Sequence, residues 1–198
     1  MAIIYKIIKA MASKYNKLLT ILWYKLFFRK IGKNSSIIKP LKLDNPSDIV
    51  IGNGVTINKF SWLFCVKNDL NSPKIIIEDG TQIGHFAHIV SMKKVHIGRN
   101  VLIADKVYIS DNNHNYENIK IPIMNQGVTF KNNVYIGEGS WIGENVSIVG
   151  VKIGKNSIIG SNSVVLNDIE DYSIAAGSPA RVIKKFCFET NEWVKVKY

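Results

Sequence analysis

In the stretch VYISDNNHNYEN, residues 107–118, a carboxylate and an imidazole stand three positions apart, Asp111 and His114, among asparagines. Imidazole is the side chain whose ordinary pKa lets it take a proton from a hydroxyl and pass it on near neutral pH. A carboxylate beside it orients the ring or stabilises its cation. Both residues also have plainer uses: His114 caps a turn in an Asn-rich loop, or Asp111 bonds its own backbone. Glu117 and main-chain carbonyls compete for the orienting role. Location singles the pair out, because a regular pattern that fills most of the chain stops there.

The pattern is an aliphatic residue followed by glycine, at Ile51, Ile83, Ile97, Ile136, Ile142, Ile153 and Ile159. Further aliphatic heads stand in register at Ile57, Ile77, Ile89, Ile103, Ile109, Ile148 and Val165, with Phe130 taken as the head that restarts the series. The period is six. Small or β-branched residues precede many heads by two, among them Val55, Thr81, Ala87, Val101, Val107, Val134, Ser140, Val146, Ser157 and Ser163. Head and predecessor therefore share one side of a short strand. Short strands at this spacing predict stacked coils around one apolar interior. Between Ile109 and Phe130 the register fails, so residues 112–127 leave the coil as a loop carrying His114 at its foot. Such loops on a rigid solenoid are where function concentrates.

The hexads in YIGEGSWIGENVSI and KIGKNSIIGSNSVVLNDI, with the closing AAGSPARVIKK, resemble the hexapeptide-repeat acyltransferases over roughly residues 49–186. The D-x-x-H segment and the loop behind it are most similar to the bacterial sugar and polysaccharide O-acetyltransferases. The resemblance implies an all-β, left-handed parallel β-helix that acts as a homotrimer; the general rule for parallel crossovers alone gives the opposite hand. It also implies transfer of acetyl from acetyl-CoA to a hydroxyl of a surface-polysaccharide sugar or its lipid-linked precursor, with no covalent intermediate. His114 takes the family's base position, with Asp111 as its partner. Asn113, Tyr116 and His85 are assigned to the acceptor. Trp141 and Gly143 fall near the thioester, Ser161 and Asn162 beside the pantetheine arm, and Arg181 and Lys184 near the nucleotide phosphates. Leu166 and Asn167 replace the family's Thr-Lys pair there. Competing readings are an acetyltransferase for a small acceptor (an amino sugar, a free sugar or serine) and a silent β-helix used as a scaffold or glycan-binding module.

Composition narrows the partners. The formal charge is +11, yet residues 1–43 hold ten Lys or Arg and no acid, while the remainder is nearly balanced. A charge so confined does not make the face that nucleic acid requires. Ile4, Ile7, Ile8, Met11, Tyr15, Leu18 and Leu22 mark one side of a helix, with Lys6, Lys9, Ser13, Lys17 and Thr20 on the other. This basic segment, residues 1–43, either lays its apolar face over the open end of the coil or rests residues 1–30 on an anionic membrane. The β-helix is expected over 44–186 and a short tail over 187–198. Cys65 and Cys187 lie far apart in no motif, which suits a reducing cytoplasm and argues against structural zinc or a cysteine acyl-enzyme. No metal is expected, because no second histidine follows His114 to complete a three-histidine site.

Overall fold

In the computed structural model, which describes residues 2–67 and 74–196, three parallel sheets form the faces of a triangular prism. Each coil contributes one short strand to each face. The first face runs from Lys30–Ile31 through Ile49–Ile51, Ile75–Ile77, Val95–Ile97 and Val134–Ile136 to Lys152–Ile153. The second begins at Ser36–Ile37 and the third at Lys42–Asp44, and both climb in the same order. The result is a left-handed parallel β-helix. Heads stack on heads: Ile77 on Ile51, Ile97 on Ile77, Ile136 on Ile97. Every head from Ile51 to Val165 except Phe130 is buried in one continuous core, as are the ten residues two before them.

Two corners of the prism repeat one four-residue turn. At the first corner, between first and second faces, the left-handed position is held by Asn34, Gly54, Gly80, Asn100, Gly139 and Asn156. At the second corner it is held by Lys39, Phe60, Phe86, Lys106, Asn145 and Asn162. Each of these amides in the later coils donates to a carbonyl in the turn of the coil before, for example Gly80 to Asn53 and Asn145 to Asp105. The third corner, which returns the chain to the next coil, has no common length and includes the loop that carries His114.

Several expected boundaries move. The coil begins at Lys30, so residues 30–43 are its first turn rather than part of a helical segment; Ile31-Gly32, Ile37 and Leu43 are heads hidden among lysines. Helix α1 is confined to Ala2–Leu22, followed by a single 3-10 turn at Tyr24–Leu26. Of α1's expected basic face, the side chain of Lys9 lies outside the described ones. Its apolar side does not cover the coil. Thr20 does: its hydroxyl is fully buried and accepts the amide of Ile37 at 2.9 Å, closing the edge of the second face.

Phe130 is not a head. It belongs to strand Val128–Phe130, which pairs antiparallel with Asn112–His114 in a hairpin outside the prism, and Lys93 Nζ lies 4.2 Å from its ring centre. The coil resumes with Val134 and Ile136. The expected tail is likewise structured, because Glu192–Lys195 pairs antiparallel with Ala180–Cys187. Phe186 packs edge-on against Trp193 and Phe188, which fastens that strand.

Candidate active site

The third corner holds His114 through buried charge. Asp111 closes strand Tyr108–Ser110 and is wholly buried. Its carboxylate accepts the amides of Met92 at 2.7 Å, Lys93 at 2.7 Å and Lys94 at 2.8 Å, all from the corner of the coil before. Ser91 Oγ stands 3.0 Å away and Asn112 Nδ2 donates at 2.8 Å. The expected pairing of Asp111 with His114 is therefore corrected: the carboxylate is occupied in stitching two coils together. One corner lower, fully buried Lys74 bonds Asp48 Oδ2 and the carbonyl of Val66, each at 2.8 Å. These groups fix the point where the chain leaves the prism.

From that point the hairpin carries Asn112, Asn113 and His114 outward, with His114 facing Val128 across it. The loop beyond binds itself: Gln126 Nε2 donates to the carbonyls of Asn118 and Ile121, both at 2.8 Å. His114 is exposed and borders a cavity of about 360 Å³ with Asn113, Asn112 and Val128 on one side. The opposite wall is the outer surface of the third face, with Trp62, Phe64, His88, Val90 and Tyr108. Trp62, His88 and Tyr108 occupy registered positions on three successive strands. The His88 ring lies 4.3 Å from Trp62 and almost parallel to it, and burial holds its pKa below the usual histidine range. A proton-accepting group, an apolar ring wall and asparagine amides thus meet around one space.

Trp62 and Tyr108 do not stand out in the sequence, and His88 reads there only as a side chain pointing outward from the coil. Each directly precedes a head, so an outward aromatic row was encoded at one hexad position over three coils. Two expected acceptor residues fall elsewhere. His85 lies at the second corner and borders a different cavity, shared with Asn16 and Lys17 of α1. Tyr116 is exposed on the loop among Asn118, Ile119 and Ile121, away from the His114 cavity. Glu117 accepts the amide of Tyr116, its own neighbour in sequence.

Most of the expected donor residues align along the second corner. Glu144 donates its amide to Ser161 Oγ at 3.2 Å, and Asn145 Nδ2 bonds Asn162 Oδ1 at 2.9 Å. Gly143 is required by stacking itself, since a Cβ there would stand 2.6 Å from the Ser161 amide nitrogen. One step further, Gly160 bonds the carbonyl of Ala175, and Ala176 pairs with Arg181. Trp141 is exposed on the second face beside Leu102 and Ile158. Lys184 pairs with Ile174 and stands toward the other end of that strand. This line and the corner that carries His114 occupy opposite edges of the third face, whose strands are about 10 Å long. Among the described residues no group of three or more His, Cys, Asp or Glu side chains is arranged to hold a metal ion.

Residues 133–167 match the family model described as bacterial transferase hexapeptide (six repeats). Over 178 residues the chain is 38% identical to the Escherichia coli protein named "Putative lipopolysaccharide biosynthesis O-acetyl transferase WbbJ", covering 86% of this chain and 89% of that one. The chain belongs to the hexapeptide-repeat transferases. As a member of that family it is an acetyltransferase. The galactoside acetyltransferase solved in complex with coenzyme A aligns with this hexapeptide-repeat transferase at TM-score 0.57 and 28% identity, over 88% of this chain and 75% of the other. AntD, an N-acyltransferase from Bacillus cereus solved with dTDP and 3-hydroxybutyryl-CoA, shares the fold at TM-score 0.69 and 22% identity, over 84% and 88% of the two chains.

Proposed function

We propose that this acetyltransferase moves an acetyl group from acetyl-CoA to a hydroxyl of a bacterial surface-polysaccharide sugar, or of its lipid-linked precursor, with His114 as general base. The observation that carries the reading is His114 at the border of a ring-walled cavity, on a hairpin held by the buried Asp111. A pyranose presents C–H faces that suit aromatic walls and hydroxyls that suit the amides of Asn112 and Asn113. The imidazole takes the hydroxyl proton as that oxygen bonds to the thioester carbonyl carbon. When the carbon–sulfur bond breaks, the imidazolium returns the proton to the departing thiolate, so ester and free thiol form and the base is restored. No acyl-enzyme is needed. Cys65 is buried and its thiol is pushed up to about 12, far from a nucleophile's range.

The donor is assigned to the second corner. Ser161 and Asn162 are exposed small residues along which a slender pantetheine arm can lie, and Arg181 offers the charge that phosphates need. Because His114 and this line stand on opposite edges of one face, the reading needs a neighbour whose second corner meets this protomer's third, which the homotrimer implied by the family resemblance would supply. His114→Ala should lower turnover about a hundredfold or more while leaving the KM for acetyl-CoA nearly unchanged. Thiol release, followed with a galactoside or a polysaccharide acceptor, measures both. Turnover near the wild-type value would remove His114 from the mechanism.

A further inference from the structure

Helix α1 is amphipathic, and it is mounted the wrong way round for a helix that belongs to the core. Among its described side chains the most covered are Asn16, Lys17 and Thr20, all polar, with Leu19 next at 37% exposed. Thr20 bonds the coil, while Ser13, Asn16 and Lys17 border the cavity between helix and prism. The opposite side carries Ile4, Ile7, Ile8, Met11, Tyr15, Leu18 and Leu22, each more than half exposed. Trp23, Leu26 and Phe27 prolong this surface past the helix end, again mostly exposed. An apolar stripe about 30 Å long, turned outward while the polar side is used for packing, calls for a partner.

Charge identifies that partner. Six of the ten Lys or Arg of residues 1–43 stand on α1 or just after it, at Lys6, Lys9, Lys14, Lys17, Lys25 and Arg29, with no acidic residue in the sequence before Asp44, which pairs with Lys42. Pairing this segment with a second copy of itself would bring two such clusters together and repel. Among the described residues no helix is long and apolar enough to cross a bilayer. We propose that α1 docks the protein on an anionic lipid surface, lying in the interface plane with the Ile4–Leu22 stripe among the acyl chains. Lys14, Lys25, Arg29 and Lys30 then reach the head groups. The Thr20–Ile37 hydrogen bond ties the prism to the polar side of the helix, so the coil stands on the membrane while the helix is immersed.

The test uses the full chain with Ile7→Ser, Met11→Ser and Leu18→Ser combined, all positions that touch no core. Wild-type protein should co-sediment with phosphatidylglycerol vesicles, bind them less in high salt, and bind pure phosphatidylcholine weakly. The triple variant should lose about tenfold or more of that binding, with its melting temperature and its activity on a soluble acceptor unchanged. Equal vesicle binding by wild type and variant would overturn the proposal. So would an apolar stripe that proves to hold the oligomer, seen as a variant that dissociates in sedimentation while its vesicle binding persists.

Discussion

At the first corner of the prism the left-handed backbone position is filled six times by Asn or Gly. The second corner repeats the same turn with Lys39, Phe60, Phe86, Lys106, Asn145 and Asn162. Backbone chemistry explains the first series fully, since Gly lacks the Cβ that clashes there and Asn tolerates the region. It does not explain two phenylalanines, each costing about 1 kcal/mol or more in this conformation. Phe60 and Phe86 stack at 5.0 Å and remain about half exposed, so burial offsets little of the strain. The third corner departs further still and gives up the turn for buried ions and a loop. The first corner keeps to that rule throughout; the second leaves it at Lys39, Phe60, Phe86 and Lys106 and returns to it at Asn145 and Asn162, where our reading places the donor, while the third, which carries the base, abandons it.

Breaking the third corner should have the largest effect. Asp111→Ala removes the fully buried carboxylate that accepts the amides of Met92, Lys93 and Lys94 and joins two coils. The loss should be about 3 kcal/mol or more, seen as a fall of ~10 °C in Tm. Asp111→Asn keeps the shape but loses the charge and half the acceptor capacity, and should fall between. A Tm for Asp111→Ala within a degree of wild type would return Asp111 to a role in catalysis.

The second corner can be sharpened in the opposite direction. Phe86→Asn should relieve the left-handed strain and raise stability by about 1 kcal/mol, making this turn resemble those of Asn145 and Asn162 in later coils. Chemical denaturation of wild type and variant reads this. A destabilised variant would mean that the Phe60–Phe86 stack outweighs the backbone, and that the two regular corners obey one rule after all.

How far the sequence reveals this molecule follows the same division. The prism was legible from Ile51 onward because a head every six residues leaves few alternatives, and the ten predecessors are all buried as their spacing demanded. The first coil was missed because its heads Ile31, Ile37 and Leu43 are scattered among lysines that read as helix. Phe130 was misplaced because an aromatic residue after a loop can begin a coil or end a hairpin, and only pairing with Asn112–His114 decides. Spacing pairs Asp111 with His114, whereas apart from its neighbour Asn112 its partners lie 17 to 20 residues back, one coil away. Local spacing cannot reveal a bond whose register is set by stacking. The same limit hid the row Trp62, His88 and Tyr108, which exists only across strands.

The central claim is that the base on one protomer's third corner serves a donor held on its neighbour's second corner. Complementation tests it most directly, using His114→Ala to remove the base and Ser161→Trp to block the exposed donor line. Each variant alone should be nearly inactive yet folded. Trimers reassembled from an equal mixture of the two should regain about a quarter of wild-type sites, because one protomer then supplies an intact His114 and the next an intact Ser161. No recovery in mixed trimers, or full activity of Ser161→Trp by itself, would contradict the account.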